Sequence, residues 1–257
     1  MIHFISDLHL SSDTPGIARR FLHYLDHDAR NAAQLFILGD LFEAWPGDDC
    51  LDDADASLER SIAAALRRAS DAGVKIAVMH GNRDFMLGDD FAERCGARLL
   101  PDPFLLTIDG GTIALSHGDA LCTDDIEYQA FRAKVRHPAF RAAALARPLA
   151  ERKATAAALR QQSEFAKKEK NAQGRYSGDL NPDATDAFLR EHGCLAFIHG
   201  HTHQPATHTH RIDTRTVARW VLADWTETQG EFLAYDGRDF RRCPIQLPPL
   251  SSSESEH

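Results

Sequence analysis

The sequence predicts an α/β fold in which mixed sheets are flanked by helices. Three observations support this prediction: short apolar runs typical of buried strands, amphipathic helical segments between them, and short extended runs in the last quarter of the chain. A length of 257 residues suits one α/β domain or a domain with an insertion. No run approaches the ~18–20 apolar residues of a membrane span. Met1 is followed at once by a strand-like run, so we expect no secretory signal.

Five apolar runs end in polar clusters, and the order of these clusters is the most informative feature of the chain. Residues 2–6 lead into Asp7-Leu8-His9, residues 36–38 into Gly39-Asp40, and residues 77–79 into His80-Gly81-Asn82-Arg83-Asp84. Residues 114–116 lead into His117-Gly118-Asp119, and residues 196–198 lead into His199-Gly200-His201-Thr202-His203. Ligands in α/β folds bind beyond the carboxyl ends of strands. The sequence therefore predicts that five strands bring Asp, His, Asn and Gly residues to one rim.

Two helices are predicted from apolar spacing in the first third of the chain. One begins at about Pro15 and carries Ile17, Phe21 and Leu25 on one face. The other carries apolar residues at helical spacing from residue 58 to residue 69 and ends before Gly73.

Extended segments are predicted in two further places. Residues 104–108 and 112–116 flank Asp109-Gly110-Gly111, which is a hairpin signal. After the fifth cluster, residues 207–212, 219–222 and 232–235 predict three short strands.

The charge distribution divides the chain and suggests an insertion. Residues 128–176 contain 12 Lys and Arg against three acids, a local charge of +9 in a chain of net charge −9, which leaves −18 for the remainder. The segment is rich in Ala and lies between the fourth and fifth clusters, so we expect a helical cap over the rim. Such a basic cap suits an anionic amphiphile or an anionic lipid surface; a solvated helical hairpin is the alternative.

The corresponding domain division has three parts. We expect a core of residues 1–122 and 178–245, a basic helical cap insertion of residues 123–177, and a disordered polar tail of residues 246–257. The five cysteines are scattered and lack CxxC spacing, which predicts a reducing cytoplasm rather than a disulfide framework.

The five clusters together predict a two-metal site. Two divalent ions held ~3.5–4 Å apart can clamp a phosphoryl group and generate hydroxide at neutral pH. Carboxylate, amide and imidazole ligands without thiolate favour Mn²⁺, Fe²⁺, Co²⁺ or Zn²⁺. Asp40 is the candidate bridge between the ions. The ligands predicted for one ion are Asp7, His9 and His203, and those predicted for the other are Asn82, His117 and His201.

Each cluster taken alone is weak, because turns favour Asp and Gly, and a single His is more often a surface or packed residue than a ligand. His80 and His199 lie inside clusters, and we assign them to outer-shell or strand positions. The histidines predicted to have no role in the site are His23, His27, His137, His192, His208 and His210.

The ordered motifs D-x-H, G-D, G-N-x-D, H-G-D and G-H-T-H resemble those of the calcineurin-like metallophosphoesterase superfamily. The resemblance covers residues 1 to about 240 and implies a four-layer αββα sandwich of two mixed sheets with a two-metal site at one rim. Protein phosphatases of the superfamily have His after G-N, where this chain has Arg83. Arg83 can clamp phosphate but donates no proton at neutral pH, which argues against a protein phosphatase.

Longer strings resemble one bacterial family of the superfamily, the diphosphatases that cleave UDP-2,3-diacylglucosamine in lipid A biosynthesis. The strings are ILGDLFEAW at 37–45, HGNRDF at 80–85, HGDALCTDD at 117–125, YQAFR at 128–132 and IHGHTH at 198–203. The resemblance implies Mn²⁺-dependent hydrolysis to UMP and 2,3-diacylglucosamine 1-phosphate, with hydroxide attacking the uridine-side phosphorus. It implies a cap that holds the acyl chains and substrate contacts at Asn82, Arg83, Asp125, Ser163, Lys167, Lys170 and His201. Lys167 departs from the family, which has Asn there.

The same resemblance implies the surroundings in which the protein works. The substrate is an anionic nucleotide-sugar lipid, so we expect a cytoplasmic protein peripherally associated with the bacterial inner membrane. No nucleic-acid ligand and no obligate protein partner are implied. Two alternatives stay open: an enzyme acting on a soluble nucleotide, such as a dinucleoside polyphosphate or a cyclic nucleotide, and a protein-binding scaffold with an inactive site.

Overall fold

Two mixed sheets stack face to face in the computed structural model, which describes residues 1–172 and 178–248 and the side chains of all of these except 163–172. The six strands of the first sheet lie in the order β11-β10-β1-β2-β3-β4, and the five of the second in the order β5-β6-β7-β9-β8. The first sheet contains β1 (Ile2–Ile5), β2 (Gln34–Leu38), β3 (Lys75–Met79), β4 (Ala97–Leu100), β10 (Glu231–Tyr235) and β11 (Phe240–Pro244). The second contains β5 (Phe104–Ile108), β6 (Gly111–Ser116), β7 (Ala196–His199), β8 (Ala206–Ile212) and β9 (Arg215–Val221).

The strands that precede the polar clusters run parallel to their neighbours. In the first sheet β1, β2 and β3 are parallel, and in the second β6 and β7 are parallel. Their carboxyl ends therefore lie at one edge of each sheet. The antiparallel strands β10 and β11 of the first sheet and β5 and β8 of the second lie outside these parallel strands.

Helices cover both outer faces of the sandwich. The helices are α1 (Pro15–Asp26), α2 (Ser57–Asp71), α3 (Asp89–Cys95), α4 (Ile126–Val135), α5 (Pro138–Leu145), α6 (Leu149–Ala172) and α7 (Pro182–His192). Side chains of β1 alternate between the two faces of its sheet: Phe4 packs between the sheets and Ile5 against α1–α3. On the far side, Leu189 of α7 packs against Phe197 of β7. This is the four-layer αββα sandwich, so the predicted fold class is confirmed.

Most predicted elements lie where the sequence placed them, with four omissions. The helix from Pro15 and the helix before Gly73 are present as α1 and α2. The sequence did not predict α3, β4, β11 or α7, which are short elements of seven, four, five and eleven residues. The predicted disordered tail falls mostly at residues 249–257, outside the described residues.

The basic segment is helical, and its charges have partners in the core. Helices α4–α6 lie between the fourth and fifth clusters. Five of the segment's basic side chains form ion pairs with core acids: Arg132 with Asp102 and Asp119, Arg136 with Asp119, Arg152 with Asp49, Lys153 with Asp53, and Arg160 with Asp13 and Glu43. The structure thus gives part of the +9 charge a role that neither reading of the sequence included. Among the described residues, no helix combines the length and apolar character needed to cross a bilayer.

Candidate metal centre

The loops after β1, β2, β3, β6 and β7 meet at one rim, where hydrogen bonds between backbones join them. The Asp7 N–H donates to Gly39 O at 3.1 Å, and the His9 N–H donates to Asp40 O at 3.0 Å. The Gly200 N–H donates to His117 O at 3.0 Å. Because β1 and β2 belong to one sheet and β6 and β7 to the other, the rim lies across both sheets.

Backbone strain is concentrated in this rim. Six non-glycine residues of the described chain have positive φ, and five of them are predicted ligands: Asp7 (55°), His9 (50°), Asp40 (52°), His201 (68°) and His203 (54°). A left-handed backbone is unfavourable for residues with a Cβ and is common at functional sites, where the surrounding structure enforces it. The strain therefore marks the same residues that the sequence motifs selected.

Two glycines allow the loops to approach the ligand carboxylates. A Cβ at Gly81 would lie 2.0 Å from Asp40 Oδ1, and a Cβ at Gly200 would lie 2.3 Å from Asp7 Oδ2. Both distances are far below van der Waals contact. Only glycine fits at these positions while the two carboxylates keep their places.

The first group of ligands converges on one point. His203 Nε2 lies 3.4 Å from Asp7 Oδ1, and His9 Nε2 lies 3.2 Å from His203 Nε2. Asp40 Oδ2 lies 3.7 Å from His9 Nε2. The ligand atoms of Asp7, His9 and His203 all lie within 4.8 Å of one another. Two imidazole nitrogens that face each other beside carboxylates form a natural donor set for a cation.

The second group lies beside the first and shares its carboxylates. His117 Nε2 is 3.7 Å from Asp40 Oδ2, and Asp7, Asp40 and His117 form a further cluster within 4.8 Å. Asn82 Oδ1 lies 2.9 Å from His117 Nε2 and 2.8 Å from His201 Nδ1. All seven predicted ligands are therefore close together, with Asp40 between the two groups. Imidazole, carboxylate and amide oxygen are ligands that fit Mn²⁺, Fe²⁺, Co²⁺ or Zn²⁺.

Burial and neighbouring charges shift the pKa values of several residues in this cluster. Burial favours the neutral form of His117, but the carboxylates of Asp40, Asp119 and Asp7 raise its pKa to about 9. Burial likewise favours neutral Asp7, but the hydrogen bond from His203 and the nearby imidazoles hold its pKa below the ordinary value. Burial and the charge of His117 lower the pKa of His201 to about 4.

Several outer-shell residues were not singled out from the sequence. Glu43 Oε2 lies 2.8 Å from His9 Nδ1, so the opposite nitrogen Nε2 faces the site. Asp224 Oδ2 lies 3.5 Å from His203 Nδ1. Asp84 is fully buried and accepts hydrogen bonds from the backbone N–H groups of Leu41 and Gly81, and burial and the charge of Asp40 raise its pKa to about 6. Asp84 is the last residue of the G-N-x-D motif but had no predicted role, and Glu43 lies three residues after the predicted ligand Asp40.

Two further predicted substrate contacts, Arg83 and Asp125, have described side chains in different surroundings. The Arg83 N–H donates to Asp40 Oδ1 at 2.8 Å, and its guanidinium lies 3.6 Å from Glu43. Asp125 is the N-cap of α4 and accepts a hydrogen bond from the Tyr128 N–H at 3.1 Å. The side chains of Ser163, Lys167 and Lys170 lie outside the described residues.

The two histidines assigned to outer positions make backbone contacts. Fully buried His199 has Nδ1 2.8 Å from Gly200 O and Nε2 3.2 Å from Arg219. His80 Nε2 lies 2.7 Å from Leu87 O. Among the histidines predicted to have no role in the site, His137 caps α5 and His210 pairs with Asp186.

Comparison with known proteins agrees with this geometry. The family model described as calcineurin-like phosphoesterase matches residues 1–205, which is most of the chain. The chain belongs to the calcineurin-like phosphoesterase family. Within this family, it is 49% identical to a UDP-2,3-diacylglucosamine hydrolase of Chromohalobacter salexigens, covering 88% of this chain and 89% of the relative. It is 48% identical to the protein of that name from Aromatoleum aromaticum (91% and 92% covered) and 43% identical to that of Pseudomonas aeruginosa (95% and 98% covered).

Proposed function

We propose that this calcineurin-like phosphoesterase hydrolyses the pyrophosphate of UDP-2,3-diacylglucosamine to UMP and 2,3-diacylglucosamine 1-phosphate in lipid A biosynthesis. The observation that carries the proposal is the similarity to proteins named for hydrolysis of that substrate, at 43–49% identity over about nine-tenths of both chains. The convergence of all seven candidate ligands supports an intact catalytic centre rather than an inactive scaffold.

The ligand groups would hold two divalent ions, and we propose Mn²⁺. One ion would be held by Asp7, His9 and His203. The other ion would be held by Asn82, His117 and His201, with Asp40 between the two groups. When bound, such ions supply Lewis acidity and lower the pKa of water. The protein's own contribution is to fix these donors: Glu43 orients His9, and the carbonyl of Leu38, 2.9 Å from His117 Nδ1, orients His117.

Arg83 is the proposed phosphate clamp. Its backbone is fixed to Asp40 through the 2.8 Å hydrogen bond, so its guanidinium starts from a defined point beside the metal ligands. The Arg83 side chain is 19% exposed, and its guanidinium lies 3.6 Å from the Glu43 carboxylate, which is a longer contact than a bidentate pair with a phosphate would make. We place the attack of water on the uridine-side phosphorus, so that the sugar phosphate leaves as product and Arg83 stabilises the charge that develops.

The insertion of residues 123–177 is the proposed cap for the lipid half of the substrate. Its first helix reaches the rim at Asp119, and α6 reaches it through Arg160, 3.2 Å from Glu43. We propose that Asp125, Ser163, Lys167 and Lys170 contact the substrate there, together with Asn82, Arg83 and His201. Because the substrate carries two acyl chains, we also propose peripheral association with the cytoplasmic face of the bacterial inner membrane.

The test is product analysis of UDP-2,3-diacylglucosamine incubated with the purified protein in detergent, Mn²⁺ and ¹⁸O-water. We expect UMP carrying one ¹⁸O atom and an unlabelled sugar phosphate, with both products abolished by EDTA and by Asp40→Ala. Label in the sugar phosphate would refute attack on the uridine-side phosphorus. Absence of product, combined with turnover of diadenosine tetraphosphate without detergent, would identify a soluble nucleotide as the substrate instead. Failure to bind Mn²⁺ would support the inactive scaffold.

A further inference from the structure

A buried carboxylate next to the metal ligands accepts hydrogen bonds from the first helix of the insertion and from the residue that caps it. Asp119 follows His117 by two residues and is fully buried. Its Oδ2 accepts hydrogen bonds from the Tyr128 hydroxyl at 2.6 Å, from Arg132 Nε at 2.8 Å and from Arg136 Nη2 at 3.3 Å. Tyr128 and Arg132 belong to α4, the first helix of the insertion, and Arg136 is its C-cap residue. Asp119 therefore joins the insertion to the loop that carries His117.

Two of these donors also contact the loops of the other ligands in the second group. Arg136 Nη2 donates to Gly81 O at 3.0 Å, and Gly81 directly precedes Asn82. The Tyr128 ring stacks on the His201 ring, with centroids 6.1 Å apart and an interplanar angle of 24°. Helix α4 thus reaches the loops of Asn82, His117 and His201. Outside the ligand set, His9 and His203 contact Glu43 and Asp224, which lie in other parts of the chain.

We propose that Asp119, Arg136 and Tyr128 form a positioning unit through which α4 sets the second metal position, so that the insertion controls the affinity of that position selectively. The proposal rests on the proposed two-metal function but is independent of which phosphate ester is cleaved. The physical reason is that the Gly81–Asn82 turn has few other fixed points. The Gly81 N–H is held by Asp84 at 2.7 Å, and its carbonyl is held by Arg136. Loss of Arg136 would free the Gly81 carbonyl. Asn82 Oδ1 could then move away from its contacts with His117 Nε2 and His201 Nδ1.

A matched control exists within the insertion. Lys153 of α6 also pairs with a core acid, Asp53, at 2.8 Å, but Asp53 adjoins no ligand in the sequence, whereas Asp119 follows His117 by two residues. Replacing Lys153 by Gln removes one insertion–core ion pair, as Arg136→Gln does, without touching a ligand loop. A general loosening of the insertion would affect both variants alike.

The experiment is isothermal titration of each metal-free variant with Mn²⁺, with no substrate present, followed by kcat and KM. For Arg136→Gln we expect the weaker of the two Mn²⁺ binding steps to lose roughly 10–100-fold in affinity, the range typical of outer-shell partners. The other step should stay within about twofold. We expect kcat to fall with little change in KM, Arg136→Lys to recover part of the loss, and Lys153→Gln to match wild type.

Equal loss at both Mn²⁺ steps, or equal effects of Arg136→Gln and Lys153→Gln, would overturn the proposal. If Arg136→Gln does not fold, Tyr128→Phe provides the second test, because it removes only the hydroxyl that donates to Asp119 and keeps the ring against His201. A several-fold loss confined to one Mn²⁺ step is expected for Tyr128→Phe, and wild-type affinity at both steps would contradict the inference. Mn²⁺ binding is read without substrate, so a wrong substrate assignment would leave this result intact.

Discussion

Replacing Gly81 by Ala should inactivate the metal centre by a purely steric route. The Cβ added at residue 81 would lie 2.0 Å from Asp40 Oδ1, whereas real Cβ atoms essentially never approach another heavy atom closer than 3.0 Å. The contact must therefore lengthen by at least about 1 Å. Rotation of the Asp40 side chain cannot supply this displacement, because the same Cβ would lie 2.3 Å from the Asp40 backbone nitrogen. Gly81 is not among the glycines with positive φ, so no left-handed strain adds to the effect.

The expected magnitude follows from that displacement. A misplacement of 1 Å at a catalytic group can cost about 10²-fold in rate, which corresponds to about 2.7 kcal/mol of barrier. Asp40 Oδ1 also accepts a hydrogen bond from the Arg83 N–H at 2.8 Å, so the shift disturbs the proposed phosphate clamp together with the ligand. We therefore expect Gly81→Ala to lower kcat/KM by at least about 100-fold and to weaken Mn²⁺ binding.

The matched control is Gly16→Ala. A Cβ at Gly16 would lie 1.9 Å from Glu227 Oε2, which is a similar overlap in distance. However, Oε2 is at the end of an exposed and flexible side chain. The carboxylate can rotate away, so activity and Mn²⁺ affinity should stay at wild-type values. The assay is Mn²⁺ titration and kcat/KM for both variants, with circular dichroism to show that each is folded. A folded Gly81→Ala protein with wild-type Mn²⁺ affinity and more than a tenth of wild-type kcat/KM would refute the reasoning.

Three further predictions concern the ligand bridge, the clamp and a distant ion pair. Asp40→Ala should weaken Mn²⁺ binding by more than the roughly 100-fold cost of losing an outer-shell partner, and ordinary turnover with metal sites empty would rule out the bridging role. Arg83→Ala should lower kcat/KM by roughly 10²–10³-fold while Mn²⁺ titration stays unchanged; undiminished kcat/KM would show that Arg83 is no clamp. The bidentate hydrogen bonds from Arg219 lower the pKa of Asp179 to about 2, from an ordinary value of 3.8. Asp179→Asn should therefore cost roughly 1–2 kcal/mol of stability, allowing for solvent screening, at neutral pH. Because the folded pKa is the lower one, this difference is complete above about pH 4 and should vanish as the pH falls towards 2; a constant difference in Tm from pH 7 to pH 2 would contradict it.

The parts of the molecule that could be predicted from the sequence are those encoded locally. Asp7, Asp40 and His117 each follow a buried apolar run, and because parallel strands end at a common edge, chain order alone indicated that they meet. Helices α1 and α2 carry long amphipathic patterns. By contrast, β4 and β11 are edge strands of four and five residues, and partly exposed edge strands leave a weak hydrophobic pattern. The contact between Glu43 and Arg160 joins residues more than a hundred positions apart, so no local spacing could reveal it.

The basic insertion shows that composition alone does not identify the partner of each charge. A local charge of +9 between two ligand clusters suggested either an external anion or a solvated hairpin, and the structure adds that Arg132, Arg136, Arg152, Lys153 and Arg160 pair with acids of the core. Composition records how many charges a segment has, and it cannot distinguish an intramolecular partner from an intermolecular one. The ion pairs of Arg132, Arg136 and Arg160 lie close to the metal ligands, at Asp119 and Glu43. The charge division of the sequence therefore reflects, in part, the docking of the insertion on the metal centre.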